Sequence, residues 1–335
     1  MFDSLRSPGF RKISWIPLLL AFLGAAFFAS LMAGPLDLSP ARVLALLLGQ
    51  EENSTAAAVV QRIRLPRALL AAMVGGSLGA SGAAFQAVLR NPLADPYILG
   101  VSGGAALGAV SALALGVGSV FMPGAAFLGA LGALGTVYFV ASAHRTSPHT
   151  LILAGVMVGS LATALLLFIL WSAPAETVRS ALFWLTGDLS AADLSWIGPA
   201  AVWGAAGLAA LWFQSPALDL LTQGEETAAD LGLSVGRTRL FIFAAGGALT
   251  ASAVALAGLI GFVGLVVPHV VRLFWGPEHR RLIPASALLG AAFLVSADAL
   301  SRTLLSPSEI PVGVITALLG APFFLYLLRQ KEVEG

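Results

Sequence analysis

ALLAAMVGGSLGASGAAFQAVL, residues 68–89, runs without a charge between Arg67 and Arg90. A helix crossing the hydrocarbon core of a bilayer needs about 20 mostly apolar residues. This stretch meets that length, and its Gly75-Gly76, Gly79 and Gly82 are the small residues that let helices approach closely in lipid. Working outward, the same reading applies to most of the chain. Lys12–Asp37 and Arg67–Arg90 each bracket one span, and Asp95–Arg145, divided by Pro123-Gly124, holds two. Arg145–Glu176 and Asp193–Asp219 bracket one each. Arg239–Arg272 holds a full helix to about Gly258, then a short segment through Gly261 and Gly264 that Pro268-His269 is expected to end. Arg281–Arg302 and Glu309–Arg329 bracket the last two of ten.

Composition agrees. Of 335 residues, 58% are hydrophobic and 10% charged, against about 25% charged in soluble domains, so a soluble fold could not cover itself. The net charge of +1 gives no field for nucleic acid, and the absence of cysteine removes disulfides and thiol chemistry. The expected fold is an all-α integral membrane protein forming one transmembrane domain over residues 1–335. Residues 40–49 (PARVLALLLG) and 175–187 (AETVRSALFWLTG) read as interfacial helices: the first is too short to span, and the second mixes charge with Phe183 and Trp184. The apolar run Ile13–Pro35 is longer than a signal-peptide core and reads as a retained helix.

Ten spans put both termini on one side. With that side cytoplasmic, only six of the 18 basic residues fall outside: Arg42, Arg62, Arg64, Arg67, Arg179 and Arg302. The positive-inside rule favours this orientation. The basic cluster Gln61-Arg62-Ile63-Arg64-Leu65-Pro66-Arg67 runs against it, which leaves lipid phosphate or an acidic partner outside as its reason. Gly75-Gly76-Ser77-Leu78-Gly79-Ala80-Ser81 in the second span is similar to Gly246-Gly247-Ala248-Leu249-Thr250-Ala251-Ser252 in the seventh. Spans five apart cross in opposite directions, so the match predicts two inverted five-helix halves with a path between them, or a packing motif that recurs by chance.

Three blocks are more specific: residues 64–108, with NPLADP at 91–96; GEETAADLGLSVGRTR, residues 224–239; and residues 258–328, with GFVGLVVPH at 261–269, PVGV at 311–314 and GAPFF at 320–324. Their order and spacing resemble the FecCD-type permeases of ABC importers, over about residues 37–329. The resemblance implies import of an iron-siderophore, with cobalamin or haem as alternatives. It also implies a homodimer of permeases, cytoplasmic ATPase subunits that hold the ATP, and a periplasmic or lipid-anchored substrate-binding protein. No cofactor or metal is expected on this chain, and no enzymatic activity. Independently, no G-x-x-x-x-G-K-[ST] occurs, and Gly232–Thr238 lacks both the spacing and the lysine of a phosphate-binding loop.

The polar segment 215–239 is punctuated by Gly224 and Gly232 into two short helices. Either it is a solvated loop or, as the resemblance implies, it seats on the ATPase through Gly224, Glu225, Ala228, Leu231 and Gly232. Two prolines in Asn91–Pro96 forbid a continuous helix. That segment is a connecting turn or, by resemblance, the cytoplasmic gate, with Asn91 and Leu93 at the narrowing. Asp298 and Arg302 share one face of the ninth span and would neutralise each other at the surface. By resemblance, Arg302 instead joins Arg64 and Arg67 in receiving acidic groups of the binding protein. Glu309 is expected to cap the last helix. His269 reads as structural, since metal sites need convergent ligands and His144, His149 and His279 offer no cluster. An ion-coupled transporter would need carboxylates at mid-membrane, and an intramembrane protease H-E-x-x-H or paired aspartates; the spans show neither.

Overall fold

The structure, a computed structural model, describes residues 15–50, 54–117, 120–142, 147–190, 192 and 194–333. Among them every regular element is helical. The order is α1 (Trp15–Met32), α2 (Pro40–Leu47), α3 (Thr55–Ala58), a π-helical stretch (Val59–Arg64), α4 (Leu65–Val88), a 3-10 turn (Pro96–Leu99), α5 (Val101–Ala114), α6 (Met122–Ser142), α7 (Pro148–Ser172) and α8 (Ala175–Leu185). Then follow α9 (Leu194–Phe213), α10 (Ser215–Gln223), α11 (Glu225–Asp230), α12 (Val235–Ala257), α13 (Val263–Trp275), α14 (His279–Thr303) and α15 (Val312–Val333).

Seven of these described segments are long and apolar enough to cross a bilayer, with α3 and α4 running as one from Thr55 to Val88. The shorter apolar helices α5, α13 and α15 complete the ten expected spans. The interfacial stretches fold as α2 and α8. Pro268 does not end its helix as expected: α13 continues through it to Trp275. The proline leaves the Gly264 carbonyl without its intrahelical donor, and Gln86 Nε2 of α4 takes that place at 3.3 Å.

The halves repeat in their packing. Helix α4 lies on α14 and α12 on α6; α5 lies on α6 and on α7, as α13 does on α14 and on α15. Each contact is the counterpart of another when the first five spans are exchanged with the last five. The two matched segments meet at the centre, where Thr250 Oγ1 donates to Ser81 Oγ at 3.0 Å and Phe85 stacks edge-on to Phe243 at 6.1 Å. Helices α4, α12 and α14 are mostly buried, whereas α9 buries almost nothing of its length. Its bare apolar surface and the exposed Trp171, Trp196, Phe213 and Phe168 suit a lipid surround.

Candidate functional site

One end of the bundle carries α2 and α8, the other α10 and α11. At the α8 end the cluster is built around the C-terminus of α1, whose last carbonyls have no intrahelical donor. Arg64 donates through Nη1 to the carbonyls of Leu31 (2.8 Å) and Met32 (2.9 Å), and through Nη2 to that of Leu36 (2.7 Å). Arg302 donates through Nη1 to the Ala33 carbonyl at 2.8 Å and through Nη2 to Ser30 Oγ at 2.7 Å. Two guanidiniums thus cap one helix end, where the dipole favours cations.

Arg302 Nε also reaches Asp298 Oδ2 at 3.1 Å, while Arg67 bridges Asp298 Oδ1 (Nε, 2.8 Å) and Glu309 Oε2 (Nη1, 2.7 Å). Exposures of 3% for Arg64, 6% for Arg67, 4% for Arg302 and 0% for Asp298 place this network inside the protein. Two expectations change. Asp298 and Arg302 are no surface pair, because α1 and α4 close over them. Glu309 does not cap α15, which begins at Val312; its carboxylate is taken by Arg67. The three arginines expected to face an acidic partner are brought together here, but they spend their donors within the chain. Of the three, Arg67 lines a cleft of about 150 Å³ shared with Glu309, Asp188, Ser190 and Pro311.

At the break after α4, Arg90 takes φ +49° and Asn91 closes its own turn, its Oδ1 accepting from the Leu93 N–H at 2.9 Å. Asp95 Oδ1 caps the 3-10 turn by accepting from the Tyr97 N–H at 2.8 Å. Tyr97 Oη donates to the Ile260 carbonyl at 3.1 Å, joining this break to the α12–α13 connection. Gln86 joins it to α13: Nε2 is shared among the carbonyls of Ala94, Gly264 and Leu265, and Oε1 accepts from Arg272 Nη2. Sequence reading missed Gln86 and Arg272. The available signal was a lone amide in an uncharged span, five residues before Asn91.

At the α10 end, Gly224 (φ +126°) and Gly232 (φ +88°) bracket α11 as expected. Ala228 is fully buried, Leu231 stands 63% exposed, and Glu225 pairs with Arg239 of α12. Asp219 accepts from the His279 backbone N–H (3.0 Å) and pairs with Nδ1 of that residue (2.6 Å), fastening α10 to the start of α14. Along the side of the bundle runs a groove of about 520 Å³ between α5 and α7, lined by Ser102, Gly103, Gly159, Ser160, Thr163 and Leu167. No cluster of three metal-ligating side chains occurs among the described residues.

A multi-span helical bundle with inverted halves, broken helices at depth and an open lateral groove defines a membrane transport permease. The chain belongs to the FecCD transport family, whose model it matches over residues 19–330, and it is a permease subunit of the ATP-binding-cassette importer class. It is 49% identical to the cobalamin import permease of Halobacterium salinarum over 84% of this chain and 76% of that one. It is 36% identical to the Fe(3+)-citrate import permease YfmE of Bacillus subtilis over 95% and 96% of the two chains. A solved inward-facing structure described as a metal-chelate type ABC transporter superposes with a TM-score of 0.82 at 30% identity, covering 93% of this chain and 97% of that one.

Proposed function

We propose that this permease imports a bulky metal chelate, with a corrinoid of the cobalamin kind as the cargo best supported and a ferric chelate as the second reading. The support is the 49% identity to a cobalamin permease, beside the 36% identity to one named for ferric citrate. The groove between α5 and α7 carries the reading in physical terms. It presents glycine backbone and the hydroxyls of Ser102, Ser160 and Thr163, with no fixed charge, so it can pass a large ligand without holding it. A groove open on one side needs a second wall, which a second copy of the chain supplies by two-fold symmetry. Selectivity then rests with the substrate-binding protein.

The α10 end faces the cytoplasm with both termini, in the inner membrane, because this leaves most of the 18 basic residues inside. There Gly224, Glu225, Ala228, Leu231 and Gly232 form the seat of an ATPase subunit, which binds the ATP; exposed Leu231 offers the apolar contact. Asn91 and Leu93 narrow the cytoplasmic exit. The α8 end faces outward and receives the binding protein at the Arg64–Arg67–Arg302 cluster.

The test is uptake of labelled cobalamin and of ferric citrate into proteoliposomes holding the permease, its ATPase and its binding protein. Cobalamin uptake is expected to stop when ATP hydrolysis is blocked and to survive collapse of a proton gradient. Uptake driven by the gradient alone overturns the reading. Transport of ferric citrate but not cobalamin selects the second cargo.

A further inference from the structure

We propose that Glu309 is an internal stand-in for a carboxylate of the substrate-binding protein, and that docking exchanges one carboxylate for the other on Arg67. This rests on the reading that the α8 end receives that protein. The three arginines of the cluster are not equivalent. Arg64 gives both terminal nitrogens to carbonyls at the end of α1, and Arg302 divides its donors between that helix end and Asp298. Neither guanidinium can turn toward a partner without uncapping α1. Arg67 is held inside by Nε on fully buried Asp298, but its Nη1 faces Glu309, whose side chain is 44% exposed.

Charge and geometry point the same way. Arg67 and Arg302 are balanced by Asp298 and Glu309, so the group is neutral while Glu309 is in place. If Glu309 swings out, a net positive charge is left on a guanidinium that borders the 150 Å³ cleft. An incoming carboxylate restores the balance with the same oxygen geometry. Glu309 stands on the irregular connection between α14 and α15 with its side chain 44% exposed, so rotation of the side chain alone turns it outward, while the Ile310 N–H holds the chain beside it on the Ser301 carbonyl. The other acid of the cleft, Asp188, is turned to its own loop, accepting from the Ser190 N–H at 2.7 Å and the Ser190 hydroxyl at 2.9 Å. The vacancy therefore selects an acidic group, and Glu309 keeps Arg67 from recruiting one until a partner is aligned.

The test titrates the permease–ATPase complex in nanodiscs with the purified binding protein of the same importer. E309Q removes the internal competitor, and E309D keeps the charge but shortens its reach. Each is expected to bind the partner more tightly, by up to about fivefold, the scale of one exposed ion pair. R67Q is expected to weaken binding in both backgrounds. Unchanged or weaker binding by E309Q, in a complex that melts as the unaltered one does, overturns the exchange. If E309Q does not fold, E309D decides the matter by the same criterion. Absence of any binding to the unaltered complex strikes the docking reading instead.

Discussion

Gly75 of α4 and Gly290 of α14 are in reciprocal backbone contact: a Cβ on Gly75 would stand 2.2 Å from the Gly290 carbonyl oxygen, and a Cβ on Gly290 would stand 2.3 Å from that of Gly75. The neighbouring Gly79 repeats the arrangement against the Ser286 carbonyl. Helices that touch at backbone distance gain dispersion contacts over their whole length, which replaces the hydrophobic drive that lipid cannot supply.

Gly75→Leu must therefore push α4 off α14, because the obstacle is backbone and not a movable side chain. Overpacking costs about 1–3 kcal/mol where a core can adjust, and more where it cannot. The expected outcome is loss of the monodisperse peak in detergent chromatography. Gly135→Leu, with nothing within 4 Å of its Cβ position, is expected to behave as the unaltered protein.

Asp298 neutralises two buried guanidiniums, Arg67 and Arg302. Removing one partner of a buried ionic group typically costs about 3–5 kcal/mol, since the charges left behind stay desolvated. Asp298→Ala is expected to lower the melting temperature in detergent strongly. Asp298→Asn keeps acceptor oxygen geometry for one arginine and is expected to fall between. Equal melting of Asp298→Ala and the parent would contradict the network.

Asp219 makes two bonds to His279, one to the backbone N–H and one to the ring. His279→Ala loses only the ring contact, whereas Asp219→Ala loses both and leaves the first N–H of α14 without its acceptor. Hydrogen exchange across 215–230 is expected to speed up in both, more in Asp219→Ala. The reverse order would show that the ring, not the helix cap, holds α10 in place.

The sequence by itself determined the spans, the break at Asn91–Pro96 and the glycine-bounded α11, while the inverted relation of the halves stayed open until the packing of α4 on α14 and of α12 on α6 decided it. These are properties of contiguous residues: a bilayer sets the length of an apolar run, proline forbids a continued helix, and small residues recur at helix spacing. It also determined which charges were out of place, as with Arg64, Arg67 and Arg302 at the α8 end. Only the tertiary structure decided what those charges do. Arg67 meets Asp298 from 231 positions away and Glu309 from 242, and Arg302 meets Ser30 from 272. No local pattern encodes partners that distant. The same holds for Gln86, an ordinary amide until α13 brings Arg272 and two carbonyls within reach, and for Asp219 with His279. Pro268 failed as a stop signal for a related reason: the Gly264 carbonyl that it leaves without a donor is taken by Gln86 of another helix. Chain-local rules locate helices because hydrogen bonding and lipid act on each segment alone. Which guanidinium remains available to a partner depends on the carbonyls that other helices leave unsatisfied.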